Sequence, residues 1–303
     1  PRRPCGDCLM ASDLELSTMR QAITLSALGL GTTSPNPPVG CVILDRDGTV
    51  VGAGFHRRKG EPHAEAHALN AAGGAARGGT AVVTLEPCNH VGVTPACRQE
   101  LIDAGISRVV IAVLDPTSRG EGGASMLAAA GVEVETDVLR DEALTVLEPW
   151  LTATVRRRPY LTWAFAVDRD HQSAAEERLL LDLRANADLV IADKILDEGV
   201  PGGHASAHFA PPGDVDISAG LSQWLSAAYE GGVRSVFVVG QQHAVALRPH
   251  LHAVDELVVA VPRTDPSQAL EVVHSDLMPI GFRLVEVTAH EYGLTARMRC
   301  FRV

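Results

Sequence analysis

Four residues in the first third of the chain have the types and spacing of a catalytic zinc site. His63 offers an imidazole nitrogen, and Cys88 and Cys97 offer thiolates. Three such ligands leave the fourth tetrahedral position of a zinc ion free for water, as in catalytic sites. Glu65 is two residues beyond His63, so it can reach that water without binding the metal. Because zinc lowers the pKa of its water, the predicted chemistry is attack by hydroxide, with Glu65 carrying protons.

The spacing is typical of zinc-dependent nucleobase deaminases, with one difference. Their signature combines His-x-Glu with Pro-Cys-x-x-Cys. The chain has His63 and Glu65 in the first pattern and a proline before Cys88, but Cys97 is nine positions after Cys88. We therefore predict a zinc-dependent aminohydrolase in which Glu65 is catalytic and His63, Cys88 and Cys97 bind the metal.

A closed structural zinc site is the alternative interpretation of the same ligands. Such a site needs a fourth protein ligand. His67 is one helical turn after His63, and His90 lies between the two cysteines, so either could be recruited. The protein would then be a non-catalytic zinc scaffold. The carboxylate of Glu65 has no duty in a scaffold, so its presence favours the enzyme.

The composition of the whole chain limits the other classes of function. The 303 residues suggest two domains, and a hydrophobic content of 46% can fill two cores. No apolar run approaches the roughly 18 residues of a membrane helix, and no signal-peptide pattern is visible, so we expect a cytoplasmic protein without membrane contact. The formal net charge of −11 argues against nucleic acid as a partner and favours a small-molecule substrate.

Two further motifs are interpreted as unrelated to the chemistry. Cys5 and Cys8 have metal-like spacing but no partner pair, and they fall in residues 1–13, which we assign to an N-terminal extension. Residues 156–158 are three consecutive arginines, which we interpret as a solvated linker between domains rather than a phosphate-binding track. Six cysteines in a chain of this length do not indicate a disulfide scaffold.

Predicted helices and strands place the four residues near one another. Helices are predicted at Leu14–Leu28, His63–Ala72, Arg98–Ala104 and within Gly120–Gly131. Strands are predicted at Val39–Leu44, Val50–Gly54, Ala81–Leu85, Val109–Leu114 and Val132–Val134, the first two joined by the turn dipeptide Asp47-Gly48. Alternation of strands and helices indicates an α/β sheet, with the metal between the starts of two helices.

The long cysteine loop resembles the deaminase half of the bifunctional riboflavin-biosynthesis deaminase/reductase family. Residues 87–97 read Pro-Cys-Asn-His-Val-Gly-Val-Thr-Pro-Ala-Cys, close to the family pattern Pro-Cys-Asn-His-x-Gly-x-Thr-Pro-x-Cys. The segments Ser34–Gly40, His63–Leu69 and Ala112–Pro116 also match. The resemblance extends over about residues 14–160, and it implies a cytidine-deaminase-like zinc domain over residues 14–150.

The rest of the chain resembles the reductase half of the same family. That half has a dihydrofolate-reductase-like fold, and Leu161–Trp163 and Leu183–Asp188 are the best local matches. Strands are predicted at Tyr160–Val167, Leu189–Ala192, Ser235–Val239 and Leu257–Val261, and helices at Ala175–Ala185 and Ser222–Tyr229. The predicted fold class is therefore α/β, with the zinc domain followed by a shortened dihydrofolate-reductase-like α/β domain over residues 151–303.

The cofactor-binding segments of the reductase half depart from the family pattern. The family has Ser-x-Asp-Gly, Gly-x-Gly-Thr-Val and Glu-Gly-Gly-Pro where this chain has Val167–Asp170, Ala192–Leu196 and Val239–His243. Glycine matters there because a Cβ blocks the approach of backbone to pyrophosphate. We expect an inactive reductase half that binds no NADPH and forms a homodimer. The alternative is a fully bifunctional NADPH-dependent deaminase/reductase.

The resemblance also implies a substrate, 2,5-diamino-6-ribosylamino-4(3H)-pyrimidinone 5′-phosphate, deaminated at ring position 2. The implied substrate contacts are Asn36, His90 and Thr94, although Asn36 also suits a turn between prolines. Two departures concern the phosphate. Val93 stands where the family commonly has lysine or arginine, and Thr117 stands where it has asparagine.

Two substrate classes therefore stay open. Either another basic residue replaces Val93, or the substrate has no phosphate, since valine cannot supply a charge-assisted hydrogen bond. The candidate replacements are Arg57, Arg58, Lys59 and Arg119. In the second case the chain would be a repurposed deaminase acting on a different heteroaromatic amine in secondary metabolism.

Overall fold

The chain folds into two compact units, Pro1–Leu151 and Thr152–Val303. The computed structural model describes residues 10–89, 96–118, 120–166, 181, 183–192, 195–205, 207–213, 217–240, 243, 247–262, 282–290 and 293–300. Within those residues, no helix is both long enough and apolar enough to cross a bilayer.

The first unit is built around a five-stranded sheet. Its strands are β1 (Gly40–Leu44), β2 (Val50–Phe55), β3 (Thr80–Leu85), β4 (Arg108–Val113) and β5 (Glu133–Glu135), in the spatial order β2-β1-β3-β4-β5. Its helices are α1 (Asp13–Ala27), α2 (Ala64–Ala72), α3 (Cys97–Asp103), α4 (Gly122–Ala129) and most of α5 (Arg140–Arg156), which ends in the second unit. Strand β1 is antiparallel to β2 and β3, whereas β3, β4 and β5 are mutually parallel.

Local signals explain where these elements begin and turn. Ser12 caps α1 with a capping box, because its side chain accepts from Glu15 N while the Glu15 carboxylate accepts from Ser12 N. The β1–β2 turn is held by Asp45, whose Oδ1 accepts from the amides of Asp47 and Thr49. Gly48 adopts the positive φ of 82° that this turn requires. The predicted helices and strands up to β4 are confirmed, with bounds that differ by one residue.

Glycines in β2 let α2 lie directly on the sheet. A Cβ on Gly52 would lie 2.1 Å from Ala68 O, and one on Gly54 would lie 2.7 Å from Ala64 O. Glycine inside a strand commonly marks such a close approach of backbone. The approach fixes the height of α2 above the sheet, and with it the position of His63 and Glu65 at the start of the helix.

The second unit contains a seven-stranded sheet and its own core. The strands are β6 (Tyr160–Ala166), β7 (Leu189–Ala192), β8 (Ile195–Glu198), β9 (Ser235–Val239), β10 (Glu256–Pro262), β11 (Phe282–His290) and β12 (Gly293–Cys300), in the order β11-β12-β10-β6-β9-β7-β8. The helix α6 spans Ile217–Glu230. The parallel strands β10, β6, β9 and β7 form the centre, where Trp163, Phe165 and Phe237 are almost completely buried.

The four strands predicted for this unit are confirmed by β6, β7, β9 and β10, and the predicted helix Ser222–Tyr229 lies inside α6. The predicted helix Ala175–Ala185 falls largely outside the described residues, although residues 181 and 183–186 are helical. The sequence prediction omitted α5, β8 and the β11–β12 hairpin. Helix α5 contains Pro149, a residue that normally argues against a helix interior.

The interpretation of the three arginines as solvated is wrong for Arg158, which is largely buried. Arg158 Nη1 lies 2.6 Å from Asp255 Oδ2, and Arg156 pairs with the same carboxylate, which is 3% exposed. Asp255 also accepts from Leu161 N at 2.9 Å. Arg156 and Arg157 are both exposed, as expected, and Arg157 forms a surface ion pair with Glu230.

Candidate metal centre and active site

The structure brings the three predicted metal ligands together. His63 Nδ1 lies 3.2 Å from Cys97 Sγ and 3.8 Å from Cys88 Sγ, and the three ligand atoms all lie within 4.8 Å of one another. One imidazole and two sulfurs at this separation fit a tetrahedral zinc ion. Among the described residues, no fourth His, Cys, Asp or Glu joins this group, and His67 is not part of it.

The ends of two helices position these ligands. His63 is the N-cap residue of α2 but makes no capping hydrogen bond with its side chain, which instead faces the two cysteines. Cys97 is the first residue of α3, and its backbone N–H donates to Cys88 Sγ at 3.3 Å. A helix N-terminus stabilises a nearby thiolate, so the fold favours negative charge on Cys88.

Glu86 anchors the backbone that leads into Cys88. Its buried carboxylate accepts from Asp115 N at 3.0 Å and from Ala124 N at 2.9 Å. Gly122 makes room for it, because a Cβ there would lie 2.6 Å from Glu86 Oε1. The end of β3 is thereby tied to the end of β4 and to the start of α4. Glu86 was not among the predicted site residues. Its position directly after a predicted buried strand is the sequence feature that could have indicated this anchoring role.

Hydrogen bonds keep negative charge in the ligand cluster. A hydrogen bond from the Cys97 thiol lowers the pKa of Cys88 to about 4, aided by His63 and opposed by burial. The same hydrogen bond and burial raise the pKa of Cys97. The hydrogen bond to Cys88 raises the pKa of His63 against the effect of burial. Negative charge on Cys88 is thus favoured, which suits a divalent cation.

Glu65 is a buried carboxyl group beside the ligands. It lies in the first turn of α2 and is 3% exposed. Burial raises the pKa of Glu65 to about 7, while the positive charge of His63 and a hydrogen bond with Cys97 act in the opposite direction. A carboxyl group with a pKa near neutrality can both accept and donate a proton.

Asn36, His56 and Lys59 form a hydrogen-bonded network next to the ligands. The Asn36 Nδ2 and His56 Nε2 atoms are 3.1 Å apart, and Lys59 Nζ donates to Asn36 Oδ1 at 3.0 Å. His56 Nδ1 lies 3.1 Å from Pro62 O. Because that carbonyl can only accept, Nδ1 carries the proton and Nε2 accepts from Asn36. The amide of Asn36 is therefore held in one orientation.

His56 is a neutral member of this network, which sequence reasoning missed. Burial lowers the pKa of His56 to about 4, and the charges of His63 and Lys59 lower it further against the hydrogen bond to Pro62. Its ring lies edge-on to the ring of His63, with centroids 5.2 Å apart. The only signal in the sequence was its place at the end of a strand that runs towards the ligand helix.

Of the three implied substrate contacts, only Asn36 lies among the residues that the structure describes. His90 and Thr94 lie outside the described residues, as do Val93, Arg119, Cys5 and Cys8. Thr117 forms local hydrogen bonds, in which its backbone amide and hydroxyl both donate to Asp115 Oδ1.

Known proteins share the sequence of the metal centre. Residues 12–113 match the cytidine and deoxycytidylate deaminase zinc-binding region. The riboflavin biosynthesis protein RibD of Aquifex aeolicus is 43% identical over 162 residues, which are 52% of this chain and 45% of that protein. RibD of Mycobacterium tuberculosis is 47% identical over 148 residues, which are 48% of this chain and 44% of that protein. The matched region thus spans less than half of these curated relatives.

Solved structures match both units of the chain. A diaminohydroxyphosphoribosylaminopyrimidine deaminase/5-amino-6-(5-phosphoribosylamino)uracil reductase from Thermotoga maritima has a TM-score of 0.76 at 23% identity, covering 95% of this chain and 99% of that one. Acinetobacter baumannii RibD, form 1, has a TM-score of 0.74 at 26% identity, covering 95% and 99%. Residues 12–113 thus contain a cytidine-deaminase-like zinc-binding region, and a second α/β domain follows. The chain is similar to RibD proteins in sequence over about half of its length and in fold over both units.

Proposed function

We propose that the first unit is a zinc-dependent hydrolytic deaminase of an aminopyrimidine. The observation that carries the proposal is the cluster of His63, Cys88 and Cys97 with the buried carboxyl of Glu65 beside it. The family resemblance implies 2,5-diamino-6-ribosylamino-4(3H)-pyrimidinone 5′-phosphate as the substrate, and the relatives are named as riboflavin biosynthesis proteins.

In this reaction the amine-bearing ring carbon gains an oxygen from water and loses ammonia. His63, Cys88 and Cys97 would hold the zinc ion, which when bound supplies a water molecule of lowered pKa as the nucleophile. Glu65 takes one proton from that water at its carboxylate. It delivers that proton to the ring nitrogen, then takes the remaining proton of the hydroxyl group added to the ring carbon and delivers it to the amine, which departs as ammonia. A pKa near 7 allows Glu65 both to accept and to donate. Asn36, held by His56 and Lys59, orients the ring.

Two observations support a catalytic rather than a structural zinc. The described part of the chain offers three ligands to the cluster and not four. Glu65 is buried next to the ligands, and burying an ionisable group lowers the stability of the folded state. A scaffold would gain nothing from that cost.

The test is ammonia release from the phosphorylated diaminopyrimidine by the zinc-loaded protein and by Glu65→Gln. We expect this variant to keep its zinc, measured by plasma emission, and to lose roughly 100- to 10,000-fold in rate, since it cannot exchange protons. The matched control is Glu61→Gln, an exposed carboxylate four residues away that should leave the rate unchanged. Substantial activity in Glu65→Gln would contradict the proposal.

We further propose that the second unit has lost the reductase activity. The support is the replacement of the family's glycine-containing segments, one of which is the β7–β8 hairpin, with Ala192 opposite Ile195. Titration with NADPH, followed by its fluorescence, should show no saturable binding below about 1 mM, with an NADPH-dependent reductase of established affinity as the positive control. Tight binding would favour the bifunctional alternative. Homodimerisation through this unit and a cytoplasmic location stay predictions.

A further inference from the structure

Lys59 lies next to the candidate active site, a position that could not be read from the amino-acid sequence. It lies in the connection between β2 and α2, and its side chain is half-buried. Its ammonium group donates to Asn36 Oδ1 at 3.0 Å. An ammonium has three donor hydrogens, so two stay available for a ligand. Among the described residues, no carboxylate lies within ion-pairing distance of Lys59, so its charge is not neutralised there.

The other candidate cations differ from Lys59. The Arg57 side chain is exposed and lies over the Phe55 ring, with its guanidinium carbon 5.6 Å from the ring centroid. Arg58 is exposed as well, and Arg119 lies outside the described residues. Of the four basic residues that could replace the family's cation at Val93, Lys59 is the one that the structure joins to a substrate-contact candidate, Asn36.

The charge of Lys59 acts on the site from close range. Its ammonium group donates to Asn36, and the amide of Asn36 meets the His56 ring. That ring lies edge-on to the ring of His63. The whole chain carries a net charge of −11, so a half-buried cation without a carboxylate partner stands out. A flexible four-carbon stem allows such a point charge to follow a phosphate group.

We propose that Lys59 is the specificity-determining residue that binds the anionic group of the substrate, so that this site takes a phosphorylated aminopyrimidine rather than an uncharged one. The inference rests on the deaminase function proposed above. It assigns to Lys59 the role that the family resemblance gives to a basic residue at Val93. The hydrogen bond to Asn36 places this cation beside a group proposed to orient the ring.

The experiment compares two substrates, the phosphorylated diaminopyrimidine and its dephosphorylated form, with three variants. Lys59→Met removes the charge at similar length, Lys59→Arg keeps a cation, and Arg58→Met removes a neighbouring exposed cation. We expect Lys59→Met to lower kcat/KM about tenfold or more for the phosphorylated substrate, mainly through KM, because a charge-assisted hydrogen bond is lost. The dephosphorylated substrate should change by less than about twofold. Lys59→Arg should keep most of the preference, and Arg58→Met all of it.

Several outcomes would overturn the inference. An unchanged preference in Lys59→Met would show that another group binds the phosphate. An equal loss on both substrates would show that Lys59 only positions Asn36, provided that urea unfolding shows an intact fold. A wild-type preference for the dephosphorylated substrate would exclude a phosphate site.

A binding measurement separates this inference from the proposed function. Calorimetry with the phosphorylated compound uses Glu65→Gln and the Glu65→Gln/Lys59→Met double variant. If the wild type releases no ammonia but Glu65→Gln binds the compound more tightly than the double variant, the deaminase proposal fails and the role of Lys59 stands. If ammonia is released but the two variants bind equally, the role of Lys59 fails alone. Absence of both ammonia release and binding would overturn both.

Discussion

Buried polar groups serve different purposes in the two units. In the first unit, Glu65 and His56 lie within a few ångströms of the ligand cluster and have strongly shifted pKa values. In the second unit, Asp188 accepts from the backbone amides of Arg234 and Ser235 and contacts His204. These aspartate contacts join segments of one sheet. In the second unit Asp188 thus joins backbone segments, as Glu86 does in the first unit, whereas the buried groups Glu65 and His56 lie at the candidate active site.

The two units also differ in how they resemble known proteins. The deaminase family model matches residues 12–113, whereas the fold of solved relatives covers 95% of the chain. A core tolerates exchange of apolar residues when their volume and pattern are kept. A metal site tolerates no such exchange, because ligand type and number decide the metal's chemistry. Both units share the packing of known folds, and residues 12–113 also match a zinc-binding sequence pattern.

The largest effect is expected from Asp255→Ala in the second unit. This change leaves Leu161 N without its acceptor and removes the partner of Arg156 and Arg158. Loss of one partner of a buried ion pair costs about 3 to 4 kcal/mol. Urea unfolding followed by tryptophan fluorescence should show early unfolding of the second unit, with zinc content unchanged.

Asp197→Ala is the matched control for that change. Its ion pair with Arg184 is exposed, and such pairs contribute less than about 1 kcal/mol. If Asp255→Ala were no more destabilising than Asp197→Ala, the buried aspartate would not have the architectural role described. Loss of zinc from Asp255→Ala would contradict the expectation that Asp255 stabilises the second unit without affecting the metal site in the first.

Gly52→Ala should have the next largest effect, and in the first unit. The new methyl group would lie 2.1 Å from Ala68 O, a backbone atom that cannot move without moving α2. Overpacking of this kind costs about 2 to 3 kcal/mol. Because α2 begins beside His63 and carries Glu65, zinc affinity should fall together with the urea midpoint. Chelator competition measures the first and fluorescence the second.

Gly74→Ala provides the control for Gly52→Ala. Its Cβ would meet nothing within 4 Å, so neither zinc affinity nor stability should fall. Equal behaviour of the two variants would show that close packing of α2 on β2 does not position the ligands.

The elements of the first unit could be predicted because their signals are local. The Asp47-Gly48 dipeptide marked the hairpin, and apolar periodicity marked the helices to within one residue. The metal ligands were predictable for a chemical reason, since one histidine and two cysteines offer the donors that zinc prefers. Neither inference needed any knowledge of which strands pair.

The parts that were not predicted depend on contacts between distant segments. The amide of Asn36 meets His56 and Lys59, which are 20 and 23 residues away. Asp255 meets arginines more than 90 residues away. Helix α5 was not predicted either, and it contains Pro149, a residue type that is unfavourable inside a helix. Composition and periodicity carry no information on such pairings.

The smallest effect is expected from changing Glu15, whose ionised carboxylate stabilises the first unit in a pH-dependent way. Arg108 Nε donates to Glu15 Oε1 at 2.6 Å, and Arg108 also pairs with Glu133 and Glu135. Burial alone would raise the pKa of Glu15, but hydrogen bonds from Arg108 and Ser12 outweigh it and lower the pKa. Ionised Glu15 therefore stabilises the folded state.

Glu15→Gln should accordingly lower the free energy of unfolding at pH 7 by up to about 1 kcal/mol, since the cluster is only partly shielded from solvent. Because the folded-state pKa is below the unfolded value of about 4.3, the contribution is complete above that pH and disappears as the pH falls through the folded-state pKa. Urea midpoints of the first unit should therefore converge for wild type and variant in acid. Glu142→Gln, which removes an exposed pair with Arg20, should match the wild type throughout. Parallel curves for Glu15→Gln and wild type down to acidic pH would mean that Glu15 acts through shape and capping rather than through charge.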